Sequence, residues 1–460
     1  MNIFRSVVEN HDPVNPIKFK NDQGDVKIMS EIIKDSAPEL FKGYSYWIHP
    51  LLASGHTQTA FTALNKFEKI DQIWYKREII DVEDKTYSFE EEISEGNVKQ
   101  INLKYDQWKG ESTFAVDYVT TEDTKDFNHF NYKPSHQSNE LPRRTQYKNP
   151  NIEIFPDDSK PLLIALHGLS GGSFESYVRS LLTEVTSPEI GFDALVINSR
   201  GCANHTITSP QLFCGLWTND LRYFINEHVK KRWPNKKIFL IGFSLGGSIA
   251  ANYVGQEKAG IYKNIKGAFI MGSPWDFSDS SYVLRESLLG DRVYSPVMGQ
   301  NLLKLLNIHC KSGLHTNELA QRYMENPSEF KIDHLRDFDD SFTCKLFGFN
   351  TSMEYYRHAS PSQRLNKIRV PTLILNALDD PVVGSRSIPV TESPLNPFTS
   401  TITTSNGGHL GWFDYKHDRW YSKPVAKLMK ELSKYDVDSS GVPLPLDNDK
   451  VWKYDRLYYG

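Results

Sequence analysis

Gly242-Phe243-Ser244-Leu245-Gly246 follows directly on the apolar run at 237–241 and opens onto the helix-like stretch 247–254. That is a strand, a tight turn and a helix with a serine at the apex. Small residues two positions either side let strand and helix pass closely while the serine is held in a strained backbone conformation, which exposes its Oγ as a nucleophile. The same turn aims the N–H of Leu245 at the point that Oγ faces. The competing reading is a glycine-rich turn whose serine merely caps the helix.

A serine hydroxyl is a weak nucleophile at neutral pH. It needs a histidine to take its proton and a carboxylate to hold that histidine in one tautomer. Of the fourteen histidines, His409 stands in Ser405-Asn406-Gly407-Gly408-His409-Leu410-Gly411-Trp412, a glycine-flanked loop just after the strand-like 399–404. Loops at the carboxyl ends of strands are where movable catalytic side chains sit. The acid comes from Asn376-Ala377-Leu378-Asp379-Asp380-Pro381, which leaves the strand-like 371–375. Asp380 is chosen ahead of Asp379 because Ala377 before it and Pro-Val-Val after it fit the turn, with the neighbouring acid left to cap that turn. Acyl transfer through an oxyanion also needs two N–H donors. Leu245 supplies one, and Leu169 in the loop His167-Gly168-Leu169-Ser170-Gly171-Gly172 supplies the other. His167 itself reads as a residue that orders the loop backbone. There is no His-Glu-x-x-His pair, and the loop at 167–172 lacks the Gly-Lys-Ser/Thr ending of a phosphate loop, so no metal and no cofactor is expected.

Positioning these groups requires a sheet. From 161 to about 254 short apolar runs alternate with amphipathic stretches, and 268–271 and 371–376 read as further strands. Such alternation predicts an α/β fold with a mainly parallel central sheet and helices on both faces. Three parts are expected: an N-terminal arm and sheet extension (1–155), a catalytic domain (156–433) and a C-terminal strap (434–460). Within the second, about 274–367 breaks the alternation and is expected to cap the carboxyl edge of the sheet. In the first part, 81–95 is acidic and polar, 121–151 reads as a long exposed loop and 114–119 as a strand. The strap carries Trp452, Tyr454, Leu457, Tyr458 and Tyr459, a density that suits packing onto the domain.

Composition narrows the function. A chain of 460 residues with 39% hydrophobic and 12% aromatic content can fill a sizeable core. A formal net charge of -4 gives no broad basic field, so nucleic acid is not an expected partner. Cys202, Cys214, Cys310 and Cys344 form no C-x-x-C pair, and the N-terminus has no signal-like apolar stretch, which together suit reduced thiols in an intracellular compartment. No run reaches the length of a transmembrane span, so contact with a membrane is expected to be peripheral, whether in the cytoplasm, on a lipid droplet or on the mitochondrial outer face.

Together these residues resemble the α/β-hydrolase superfamily and, within it, the AB hydrolase-4 family. The likeness runs through Gly55-His56-Thr57-Gln58-Thr59, the loop and following helix at 167–179, Asn198-Ser199-Arg200-Gly201-Cys202, the Gly-Phe-Ser-Leu-Gly turn, the Asn-Ala-x-Asp-Asp-Pro turn and Gly407-Gly408-His409. Thr57 departs from the aliphatic residue common at that place. The resemblance implies Ser244, Asp380 and His409 as a charge-relay triad, in the chain order that family uses. Resemblance to the yeast medium-chain fatty acid ethyl ester synthase/esterases implies transfer of medium-chain acyl groups from acyl-CoA to ethanol, or another short alcohol, and hydrolysis of the esters. A monoacylglycerol or phospholipid lipase using the same triad is the alternative. An apolar rim of Phe338, Phe342, Phe347 and Phe349 would mark that lipase. A non-catalytic binding protein on the same scaffold is the third reading.

Overall fold

Runs such as Leu162–Leu166, Ile238–Phe243 and Thr372–Ala377 are buried at every position, the pattern of strands covered on both faces in a parallel sheet. The structure is a computed structural model and describes residues 4–65, 67–82, 112–120, 133–138, 140–438, 450–453 and 456–459. Eleven strands form its main sheet: β1 (Arg5–His11), β2 (Ser45–Trp47), β3 (Trp74–Val82), β4 (Ser112–Thr120), β5 (Thr145–Tyr147), β6 (Leu162–Leu166), β7 (Asp193–Asn198), β8 (Ile238–Phe243), β9 (Ile265–Met271), β10 (Thr372–Ala377) and β11 (Thr399–Thr404). Their order is β2-β1-β11-β10-β9-β8-β6-β7-β4-β3-β5. The six central strands, β11 to β7, are parallel. On one side the antiparallel pair β1 and β2 extends them, and on the other β4 and β3 do so. The chain is therefore an α/β protein built on a mainly parallel sheet.

Register sets the working edge. Gly242 of β8 lies opposite Leu166 of β6, and Ala377 of β10 opposite Thr404 of β11. The loops that leave these four strands emerge at one carboxyl edge, where open α/β sheets bind ligands. The helices that position the site are α1 (Gly55–Leu64), α2 (Ser176–Val185), α3 (Leu245–Glu257), α4 (Phe277–Glu286), α5 (Ser295–His309), α6 (Ser352–Ala359) and α7 (Ser422–Leu432). α2 and α7 pack on each other, with Ser180 Oγ 2.9 Å from Ser422 Oγ.

Between β9 and β10 the chain makes a helical insertion that contains α4, α5 and α6. Its apolar residues form a second hydrophobic cluster with Leu212, Phe213 and Trp217. Phe338, Phe342, Phe347 and Phe349 belong to this cluster and are only 3%, 1%, 2% and 4% exposed. They are a core and not a rim, because Phe342 finds Phe330, Phe338 and Tyr323 each with ring centroids 5.2 Å away, contacts that polar surroundings cannot supply.

The acidic stretch beyond residue 82, residues 121–132 of the expected loop and the aromatic side chains of the C-terminal strap lie outside the described residues. The rest of that loop is not exposed throughout: Thr145 and Tyr147 are buried in β5, and Tyr147 donates its hydroxyl to the Ser138 carbonyl at 2.8 Å. Cys202, Cys214, Cys310 and Cys344 are unpaired and buried. Among the described residues no helix is long and apolar enough to cross a membrane.

Candidate active site

Ser244 joins β8 to α3 with φ 51° and ψ -122°, a conformation costly to any residue with a Cβ and held only where the surroundings demand it. They do. A Cβ on Gly242 would fall 2.3 Å from the Gly246 carbonyl oxygen, and one on Gly246 would fall 2.4 Å from the His167 carbonyl oxygen. The start of α3 is thereby pressed against the loop that leaves β6. Leu169 in that loop and Leu245 at the head of α3 border the same cavity as Ser244.

His409 stands in the loop after β11. Its Nε2 is 2.9 Å from Ser244 Oγ and its Nδ1 is 2.8 Å from Asp380 Oδ2. An ionised carboxylate only accepts, so the Asp380 contact places the imidazole proton on Nδ1 and leaves the Nε2 lone pair for the serine hydroxyl. Asp380 is 3% exposed, and its other oxygen accepts the N–H groups of Val382 at 2.8 Å and Val383 at 3.0 Å. Asp379 does something else. Its Oδ1 accepts the N–H groups of Gly407 and Gly408 at 2.8 and 2.9 Å, and its Oδ2 accepts from Asn406 Nδ2 at 3.2 Å. Burial raises its carboxyl, while those N–H groups pull the other way. Of the two adjacent acids, the first holds the histidine loop and the second holds the histidine.

His167 faces away from this line. Its Nδ1 bonds the Gly168 carbonyl at 2.7 Å, and its Nε2 accepts the Ser199 N–H at 3.0 Å. Burial pushes it down to about 4, so it is neutral at physiological pH and ties two loops together. Beside the same loop, burial pushes the Glu175 carboxyl up to about 7.

One element that supports His409 has no local signature. Thr59 Oγ1 accepts the His409 N–H at 2.9 Å and donates to the Gly55 carbonyl at 2.6 Å. Gln58, fully buried one position earlier on α1, accepts the Phe413 N–H at 2.8 Å and donates to the Phe413 carbonyl at 3.2 Å. The sequence identified this stretch only through a family resemblance and assigned it no role. The one clue was a Gln and three Thr in a short helix. Contact is close enough that a Cβ on Gly408 would lie 2.4 Å from the Gly55 carbonyl oxygen. Helix α1 also meets the insertion, with His56 Nδ1 2.9 Å from Tyr294 Oη.

Ser244 opens into a cavity of about 470 Å³ lined on the insertion side by Leu302, Leu305, Phe338, Leu346 and Phe347. Such a size and lining suit an acyl chain. Asp339 is the buried acid of this lining. It accepts hydroxyl hydrogens from Thr343 and Tyr356, each at 2.7 Å, and burial pushes it up to about 6. Earlier in the insertion Tyr282, Leu288, Leu289, Val293 and Val297 are exposed, interleaved with the lining residues Leu284, Asp291, Ser295 and Met298.

The arrangement can perform nucleophilic acyl transfer: a serine, a base already bonded to it, and an acid fixing the base. Comparison with known proteins agrees with that chemistry. The family described as the alpha/beta hydrolase fold matches residues 161–414. The monoacylglycerol lipase of Saccharomyces cerevisiae is 37% identical over 455 residues, covering 96% of this chain and 94% of its own. The medium-chain fatty acid ethyl ester synthase/esterase 2 of the same organism is 31% identical over 424 residues, covering 88% and 90%. The phospholipase ABHD3 of Homo sapiens is 31% identical over 274 residues, covering 58% and 63%. With a family match over more than half its length and relatives aligned along nearly all of it, this chain belongs to the α/β-hydrolase fold family and is an enzyme of that type.

Proposed function

We propose that the chain is a serine lipase/esterase that cleaves monoacylglycerols through an acyl-enzyme, with Ser244 as nucleophile, His409 as acid and base, Asp380 as its orienting carboxylate and the N–H groups of Leu169 and Leu245 as the oxyanion donors. The observation that carries this reading is the unbroken line from Asp380 Oδ2 through His409 to Ser244 Oγ at 2.8 and 2.9 Å, facing a cavity lined mainly by apolar side chains. Ser244 Oγ attacks the ester carbonyl carbon as its proton passes to His409 Nε2. The two N–H groups stabilise the oxyanion, and Asp380 stabilises the imidazolium. Collapse breaks the bond to the leaving oxygen, which takes the proton from His409. Water, deprotonated by His409, then releases the fatty acid.

The same acyl-enzyme serves a second reading, favoured by the 31% identical ethyl ester synthase/esterase. An acyl-CoA thioester loads Ser244, and ethanol replaces water to release a medium-chain ethyl ester. The monoacylglycerol reading stands first because the lipase relative is more similar over more of the chain. The insertion acts as a cap, and the exposed apolar side chains on its segment at 282–297 rest on the lipid surface that holds the substrate.

The test is product partition with purified wild type and Ser244→Ala, supplied with monooctanoylglycerol, with ethyl octanoate, and with octanoyl-CoA plus ethanol. Glycerol release from the first, reduced at least about 1,000-fold in the variant, is the expected result. Ester formation from octanoyl-CoA without monoacylglycerol cleavage would move the assignment to the second reading. Turnover unaffected by the variant would overturn both.

A further inference from the structure

The loop that carries Leu169 is anchored by a buried charged node supplied from the N-terminal strands. Arg77 on β3 and Asp117 on β4 face each other in register, 1% and 0% exposed. Arg77 Nε donates to Asp117 Oδ1 at 2.6 Å, and Nη2 donates to Oδ2 at 2.7 Å. An ion pair this deep is costly unless its remaining donors and acceptors are also used. Here they are used on the loops of the site. Asp117 Oδ2 accepts the Ser173 hydroxyl at 2.5 Å and Asn198 Nδ2 at 2.8 Å, while Arg77 Nη1 donates to the Ala203 carbonyl at 2.5 Å.

Ser173 ends the loop after β6, four residues beyond Leu169, and all of its polar groups are held. Besides the hydroxyl, its N–H donates to Asn198 Oδ1 at 3.0 Å and its carbonyl accepts the Tyr75 hydroxyl at 2.7 Å. The opposite end of the loop is held separately, by the Gly168 N–H donating to Tyr177 Oη at 3.0 Å. Leu169 is thus strung between two fixed points, one of which draws two of its three hydrogen bonds from β3 and β4, the strands that extend the sheet.

We propose that Asp117 is a positioning residue for oxyanion stabilisation: through Ser173, with Tyr75 as the second clamp, it keeps the Leu169 N–H aimed at the tetrahedral intermediate. This rests on the reading of Leu169 as an oxyanion donor. A donor that drifts loses contact with the transition state far more than with the bound ester, so the loss falls on kcat and not on KM.

Asp117→Asn leaves Arg77 without its charge partner and risks unfolding, so the test uses Ser173→Ala and Tyr75→Phe, each of which deletes one hydroxyl and leaves the ion pair intact. Each is assayed on the ester that wild type turns over, together with inhibition by a trifluoromethyl ketone of matched chain length, which forms a tetrahedral adduct on the serine. The expected result is a fall in kcat of about tenfold for each variant, KM within twofold, and an inhibition constant raised by the factor that kcat/KM loses. A lowered Tm with kcat and ketone affinity unchanged would overturn the proposal and leave the node a purely structural one. Absence of Ser244-dependent turnover in wild type, measured first, would instead overturn the underlying reading and the node's role with it.

Discussion

Asp379 and Asp380 are chemically identical neighbours, and their backbone directions separate their tasks. Asp380 meets an imidazole N–H, whereas Asp379 meets two backbone N–H groups of the loop that carries the imidazole. Asp380→Asn keeps the shape but offers an amide that can donate to Nδ1, which favours the tautomer with the proton on Nε2 and removes the acceptor for the serine proton. Its kcat is expected to fall about 10,000-fold with little change in Tm. In Asp379→Asn, one neutral oxygen replaces a carboxylate across Gly407 and Gly408, which loosens the loop without touching the tautomer. A drop in kcat of about tenfold with a lower Tm is expected. Steady-state kinetics and thermal melts on the two variants decide it, and equal losses of kcat would refute the division of tasks.

At the scale of elements, the decisive packing is α1 against the histidine loop. A Cβ on Gly55 would lie 1.8 Å from the Asp379 carbonyl oxygen, so Gly55→Ala must push α1 away and pull Thr59 off the His409 N–H. A stability loss of about 2 kcal/mol or more and a parallel fall in kcat are expected from thermal melts and steady-state assays. Retention of both would mean that the loop stands without the helix. This contact also marks the boundary of what sequence can convey. The fully buried strands, the glycine-bracketed turn at Ser244 and the loop around His409 are local signals, legible because each depends on neighbours within a few residues. Gln58 is different: its partner, Phe413, lies 355 positions away, and no periodicity in α1 announces it. The same holds for Asp117, one polar residue in a strand whose significance appears only when Arg77, Ser173 and Asn198 converge on it. Phe338, Phe342, Phe347 and Phe349 show the converse. Aromatic density announces a surface or a core equally well, and only the presence of Tyr323 and Phe330 opposite makes it a core.

For the whole molecule, the question is how a lipid reaches a serine under an insertion. Tyr282, Leu288, Leu289, Val293 and Val297 are exposed to water, beside the exposed charges of Arg285, Glu286 and Arg292, on the segment whose other side lines the cavity. Soluble proteins rarely expose such a group of apolar side chains without a use for it, and withdrawing each side chain from water is worth about 1 kcal/mol or more. On the proposed reading, a bilayer or droplet surface would supply that withdrawal and present the substrate at the cavity beside it. If so, surface attachment and chemistry separate under mutation. Leu288→Glu with Val293→Glu should weaken flotation with monooleoylglycerol-loaded phosphatidylcholine vesicles and lower turnover of that substrate about tenfold or more. Hydrolysis of a water-soluble butyrate ester should stay within twofold of wild type, because neither residue lines the cavity. Equal losses on both substrates would show that the segment shapes the cavity. Unchanged vesicle binding would show that the exposed residues serve a different contact.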